Sequence, residues 1–292
     1  MNKFLKLFSF IFLLNSCVPE AKNNKLSYKN IIILSDLSSR ISNSRFPNKD
    51  LKSIHKIFNE FKNEVKPGDK IGDRSRLYFS TFSNQIPSFE IDIEKFNYSL
   101  DDKQAFVNST GKFADNGLNK RLEMYSDSIA LIYKNFKNPG LDLISLLIEK
   151  IENESLIKHE KVIKIGIDKT VINYENEIYI FTDGYLEYLN SVNTQFYFGS
   201  NQIEKIRKFC KKNNVDVSTA LKMDKSLGIL PYYKENHNYV NLHILETHER
   251  DKDPIMGTYD NLIGFRDNEI LEAVWENWAI KSGFKSFTWE KY

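Results

Sequence analysis

Buried strands that alternate with amphipathic helices predict an α/β protein, built on a doubly wound, mostly parallel sheet with hairpin insertions. Three stretches carry that prediction. "NIIILSD" (30–36), "NEIYIFTDG" (176–184) and "YVNLHILET" (239–247) are near-continuous apolar runs closed by polar residues. That is the pattern of strands buried on both faces of a parallel sheet. Between them lie segments whose apolar residues recur every three or four positions, as in helices packed by one side.

Taken in order, "NKDLKSIHKIFNEFKNEV" follows the first strand, with Leu51, Ile54, Ile57, Phe58, Phe61 and Val65 at helical spacing, and "KPGDK" stops it. "SRLYFSTFS" alternates as a second strand, and "SFEIDIEKF" can pair with it at an edge. A helix is expected from about Asn119 to Phe136, broken by "NPG", and "LDLISLLIEKIEN" is a further, largely buried helix. "KVIKIGIDKTVINYENE" has the alternation of a hairpin inserted before the second buried strand. "YLEYLNSVNTQFYFG" is a further excursion, and "NQIEKIRKFCKKN" returns to helix. "RDNEILEAVWENWAIKSG" closes with an amphipathic helix, Asp267 or Asn268 as its cap and Gly283 as its stop. "FKSFTW" adds a last edge strand.

The first seventeen residues, "MNKFLKLFSFIFLLNSC", are a different kind of segment. Lys3 and Lys6 give a short basic start, Leu7 to Leu14 an apolar core, and small residues lead to Cys17. This is export-signal chemistry, and the core is too short for a permanent span, which needs roughly 20 residues. "LLNSC" resembles the lipobox of bacterial lipoproteins, with Asn15 where that motif more often has a small or β-branched residue. The resemblance implies cleavage before Cys17, acylation of that cysteine and anchoring in the cell envelope; the alternative is an ordinary secretory signal cut nearby. The expected organisation is a signal peptide over 1–16, a tether over 17–28 and one α/β domain with insertions over 29–292.

Charge excludes one class of partner. The chain has 41 basic and 39 acidic residues, and the signal segment carries two lysines and no acid, which leaves 39 of each. A balanced body offers no clustered basic face for a phosphate backbone, so no nucleic-acid partner is expected. The lipid would hold the protein to the membrane. With Cys17 acylated, Cys210 is the only cysteine left, so no internal disulfide can form. Cys210 reads as a small buried hydrophobe before it reads as a reactive thiol.

The functional question falls on two strand ends. In open α/β sheets ligands bind beyond the carboxyl ends of the strands, and Asp36 and Asp183 both stand there. Two carboxylates on neighbouring strands need a divalent cation, an arginine or a raised pKa to balance them. The simpler alternative is that both cap turns, as aspartate often does.

At these residues the chain resembles the von Willebrand factor A domain family, whose metal-ion-dependent adhesion site uses an Asp-x-Ser-x-Ser loop after the first strand. A threonine from a middle loop and an aspartate after the fourth strand, often in Thr-Asp-Gly, complete it. Asp36 and Ser38 in "SDLSS" match the first two positions, and Asp183 in "FTDG" matches the last. The resemblance implies Mg2+, or Mn2+, held by Asp36, Ser38 and Asp183, with an open position for a partner's carboxylate. The departures are Arg40 in place of the third-position serine and Leu141 in place of the threonine in "PGLDLISLL". Ser39, Ser42 and Asp142 are the neighbours that could compensate. Arg40 could instead serve as an internal cation between the aspartates, which leaves a metal-free domain.

The remaining candidates are fewer. His243 and His248 are five apart, so one strand cannot aim both at one ion. "HERDKDP" reads as a charged loop at a strand end near the crevice, and Trp275 with Trp278 as core. The expected function is recognition of an envelope or extracellular macromolecule through the strand-end loops. A metal-dependent phosphoester hydrolase on the same aspartates and a structural envelope lipoprotein are the alternatives.

Overall fold

The computed structural model describes residues 23–38, 41, 45–65, 74–83, 85–137, 140–153, 156–166, 168–188, 196–248, 250–253, 256–260 and 264–291. The signal segment, Cys17, Ser39, Arg40 and Ser42 lie outside the described residues. The elements are β1 (Asn23–Ser35), α1 (Arg45–Val65), β2 (Arg76–Thr81), β3 (Phe89–Asp92), α2 (Leu100–Asn108), α3 (Leu118–Asn135) and α4 (Leu143–Asn153). They continue with β4 (Lys161–Ile165), β5 (Asp168–Phe181), α5 (Ser200–Asn213), α6 (Val217–Met223), β6 (Val240–Thr247), α7 (Asp267–Lys281) and β7 (Ser286–Lys291).

One sheet runs in the order β3-β2-β1-β5-β6-β7, with β4 paired to the lower half of β5. β1, β2, β5, β6 and β7 are parallel, while β3 and β4 pair antiparallel. The protein is therefore α/β with a mostly parallel central sheet. Alternation along the strands splits its core in two. Ile31, Ile33, Leu77, Phe79 and Phe181 pack with Ile54, Phe58 and Phe61 of α1 and with α2 and α3. Ile32, Leu34, Ile178, Ile180, Leu242 and Ile244 pack on the opposite side with α4 to α7, including Trp275 and Trp278. Helices on both faces explain why the strands read as continuous apolar runs.

Two features differ from the sequence expectation. The supposed tether is strand from Asn23 onward: Asn23 to Lys29 pair with Lys169 to Glu175 of β5. Leu26 and Tyr28 face Ile163, Ile172 and Tyr174 in a small cluster of their own. The hairpin also does not stand apart from the sheet, because its second arm continues as the central strand β5. At the amino end of the sheet, the buried amide of Asn176 bonds Asn30 Nδ2 at 2.7 Å, Lys158 N at 2.9 Å and the carbonyls of Lys158 and Tyr239 at 3.1 Å. One side chain thus ties β1 and β6 to the approach of β4.

Beside it, Glu94 gathers Arg74 Nη1 (2.8 Å), Lys161 Nζ (2.8 Å), Lys158 Nζ (3.2 Å) and the Tyr174 hydroxyl (2.9 Å). Burial alone would raise this carboxyl, but Lys161, Tyr174 and Lys158 outweigh it and hold the pKa at about 2, against an ordinary 4.5. A depressed carboxyl stabilises the fold fully above its unfolded pKa and loses that contribution as pH falls toward the folded value. Acidification from about pH 5 to about pH 2 is therefore expected to remove about 2 kcal/mol through this residue alone. Urea unfolding across that window measures it, and Glu94→Gln should flatten the slope; an unchanged slope would exclude Glu94 as its source.

Candidate functional site

The strand order places the site. β1 leads outward to β2 and β3, β5 leads the other way to β6 and β7, so the connections part between β1 and β5. Such a switch point opens a crevice at the carboxyl ends of its two strands. Asp36 follows β1 and Asp183 follows β5 by two residues, with Ser35 in register with Phe181.

Asp36 is buried, and both backbone groups and the Thr182 hydroxyl bond it. Its amide donates to Phe181 O at 2.9 Å, its Oδ1 accepts from Ser38 N at 3.0 Å and its Oδ2 from Thr182 Oγ1 at 3.1 Å. Thr182 Oγ1 also accepts from Gly184 N at 3.2 Å, and Asp183 Oδ1 from Tyr185 N at 3.2 Å. Both aspartates therefore cap turns. Gly184 is required where it stands: φ is +86°, and a Cβ there would meet Trp289 Cη2 at 2.5 Å.

The cation on Asp183 comes from the loop after β6. Arg250 brings Nε to 3.0 Å and Nη2 to 2.6 Å from Asp183 Oδ2, and its Nη1 to 2.7 Å from Glu187 Oε2. The guanidinium carbon lies 3.9 Å from the centre of the Tyr185 ring. The Tyr185 hydroxyl in turn donates to Asp267 Oδ2 at 2.7 Å, while Arg207 Nη2 donates to Asp267 Oδ1 at 2.5 Å. Asp267 is thus the first residue of α7 and a tertiary partner; the capping position before it is Arg266. His248 Nε2 lies 3.9 Å from Asp183 Oδ2.

Asp142 reaches the same rim with its oxygens already engaged. Oδ1 accepts from Ser145 N at 3.1 Å, and Oδ2 from Ser145 Oγ at 2.7 Å and the Tyr188 hydroxyl at 3.1 Å. Burial and then the Asp142 charge push the Tyr188 phenol up to about 12. Leu141 packs against the α4 side of the core.

These residues fit magnesium poorly. An ion at Asp183 would have to displace a guanidinium that already supplies the balancing charge, or sit beside it against Coulomb repulsion. Among the described residues, no three His, Cys, Asp or Glu side chains are grouped to hold a metal. Ser38 is the exception in kind: its buried hydroxyl has no hydrogen-bond partner among the described residues.

The other sequence candidates separate. His243 turns to Glu177 and Thr288, away from His248. Cys210 is buried, and burial pushes its thiol up, as expected of a core residue. Trp275 and Trp278 are fully buried. Sequence reasoning missed Arg250 as the partner of Asp183; the signal available was that "HERDKDP" falls at a strand end beside the crevice.

No family model matches the chain, and no curated protein or solved structure shows significant similarity to it.

Proposed function

We propose that this chain is a bacterial envelope lipoprotein, acylated at Cys17, whose body is a von Willebrand factor A-like domain that binds a macromolecular partner through its strand-end rim without a metal. The observation that carries the metal-free form is Arg250 on Asp183, where the adhesion-site family would need an ion's charge. The neighbouring relation of β1 and β5 supports the likeness to that family. A half-exposed arginine stacked on a tyrosine and fixed by two carboxylates is the kind of rigid anchor that protein interfaces use. The Ser38 hydroxyl next to Asp36, without a partner among the described residues, favours the second reading, in which Mg2+ or Mn2+ joins the rim when the partner binds.

Photo-crosslinking in native membranes tests this. A crosslinking residue at exposed Lys252 on the rim is expected to trap one discrete partner, and the product should survive a chelator. The same residue at exposed Ser218 on α6 should trap nothing comparable. No product from Lys252 would sink the proposal, and a product abolished by chelator would shift it to the metal-assisted reading.

A further inference from the structure

A second constellation lies away from the rim, on the α1 side of the sheet across β5, β6 and β7. Phe287 and Trp289 of β7 pack toward the α7 side of the core, whereas Ser286, Thr288 and Glu290 on the α1 side are exposed. On that open face Thr288 Oγ1 lies 2.8 Å from His243 Nδ1, and His243 Nε2 lies 2.7 Å from Glu177 Oε2. The three residues sit on three adjacent parallel strands, with Tyr179 opposite His243 and His243 opposite Thr288 in register. Burial is graded along the relay: Glu177 is 8 % exposed, the His243 side chain 18 %, and Thr288 opens to solvent.

The hydrogen bonds fix where the protons are. Burial would raise the Glu177 carboxyl, but bonds from His243 and Asn241 bring it below the ordinary range, so it is an ionised acceptor. Its other oxygen takes Asn241 Nδ2 at 3.0 Å, with Lys29 Nζ 3.8 Å away. His243 must then carry its proton on Nε2, and in the neutral imidazole the Nδ1 lone pair faces the Thr288 hydroxyl. The ring is held flat by stacking on Tyr179, 4.5 Å between centroids at 16°. A buried carboxylate that orients an imidazole, which accepts from an exposed hydroxyl, is the arrangement that activates an oxygen nucleophile.

On the same side of the sheet, a cleft of about 630 Å3 is lined by Lys49, Lys52, Lys56 and Glu60 of α1 and by Lys291, three residues beyond Thr288 on β7. Glu60, on the cleft wall, and Glu290, two residues beyond Thr288, both act on the Tyr179 phenol. We propose that Thr288, His243 and Glu177 form an ester-hydrolysing site, with Thr288 as nucleophile and His243 as general base, for acyl esters that carry an anionic group. Glu177 and Tyr179 are positioning residues. Thr288 Oγ attacks the acyl carbon while its proton passes to His243 Nδ1; the C–O bond to the alcohol breaks, and the leaving oxygen takes that proton. Water then gives a proton to Nδ1 and attacks the acyl-threonine. The acid is released and Thr288 Oγ recovers the proton, so one ester and one water become one acid and one alcohol. The lysines of the cleft supply the charge for the anionic group.

The test uses full-length protein in detergent with p-nitrophenyl acetate and the anionic mono-p-nitrophenyl succinate. Nitrophenol release above buffer is expected for both, faster for the succinate, with an acyl mass increment on the Thr288 peptide. Thr288→Val and His243→Gln should each lower the rate about a hundredfold, and Thr288→Ser should retain it. Thr288 is exposed on an edge strand, so an unchanged melting curve for Thr288→Val separates chemistry from folding. Lys52→Glu should lower the ratio of the succinate rate to the acetate rate. Glu177→Gln should lower kcat and leave KM unchanged, and Glu177→Asp should recover part of the loss, because a carboxylate is what orients the imidazole. No release above buffer with either ester, or a Thr288→Val protein as fast as the parent, would overturn the proposal.

Discussion

Arg250→Ala is expected to cost about 3 kcal/mol of folding stability, with much of that recovered when Asp183→Asn is added. Asp183 is 1 % exposed and its Oδ2 takes two donors from this one guanidinium. Truncating the arginine leaves a buried carboxylate without its counter-charge, the costly way to break an ion pair. The Arg250 side chain is 39 % exposed, which holds the estimate to the lower end, and its outer bond to Glu187 adds little. Asparagine at 183 needs no cation and can still accept from Tyr185 N, so the double variant should be more stable than Arg250→Ala alone. A double-mutant cycle by urea unfolding measures the coupling. Additive losses would mean that the guanidinium does not balance Asp183. Titration calorimetry gives the second readout: magnesium added to the parent protein should produce no saturable heat. One saturable site, lost in Asp183→Ala, would show that an ion outcompetes the arginine.

How much of this was legible follows from distance along the chain. The strands of "NIIIL", "IYIF" and "NLHIL" were readable because burial on both faces removes polar residues from them, and α1 and α3 because one apolar side recurs at helical spacing. α2 and α6 were not, since nine and seven residues carry too short a pattern. The strand from Asn23 hid behind its polar composition: Leu26 and Tyr28 alternate correctly, but their meaning depends on Ile172 and Tyr174. Asp36 and Asp183 could be placed at strand ends from their local runs alone. The counter-charge of Asp183 could not. Arg250 is 67 residues from Asp183, whereas Arg40, in the same local run as Asp36, was the cation that the motif itself offered. The relay of Glu177, His243 and Thr288 spans 66 and 45 residues, and only the register of three strands brings it together.

The largest loss is expected at Trp275, where alanine should cost about 3–5 kcal/mol and phenylalanine only about 1–2 kcal/mol. The indole is fully buried, its ring stands edge-on to Trp278 at 5.7 Å and 86°, and its Nε1 donates to Gly184 O at 2.8 Å. Alanine removes the ring and leaves a cavity at the centre of the α7 packing. Phenylalanine keeps most of the volume but strands one buried carbonyl. That carbonyl belongs to the turn that carries Asp183, and the same turn is pressed by Trp289, whose Nε1 donates to Asn268 Oδ1 at 3.0 Å. The rim is thus gripped between α7 and β7, so its geometry is set by core residues that never reach its surface. Urea unfolding checks the two stabilities. Hydrogen exchange separates their causes: Trp275→Phe should speed exchange at the Gly184 and Tyr185 amides while amides in the middle of β5 stay protected. Equal losses for alanine and phenylalanine would assign the effect to the single hydrogen bond. Unchanged exchange at both amides in the phenylalanine variant would mean that the aspartate turns hold the rim by themselves, through Thr182 and Asp36, and that α7 only fills space behind it.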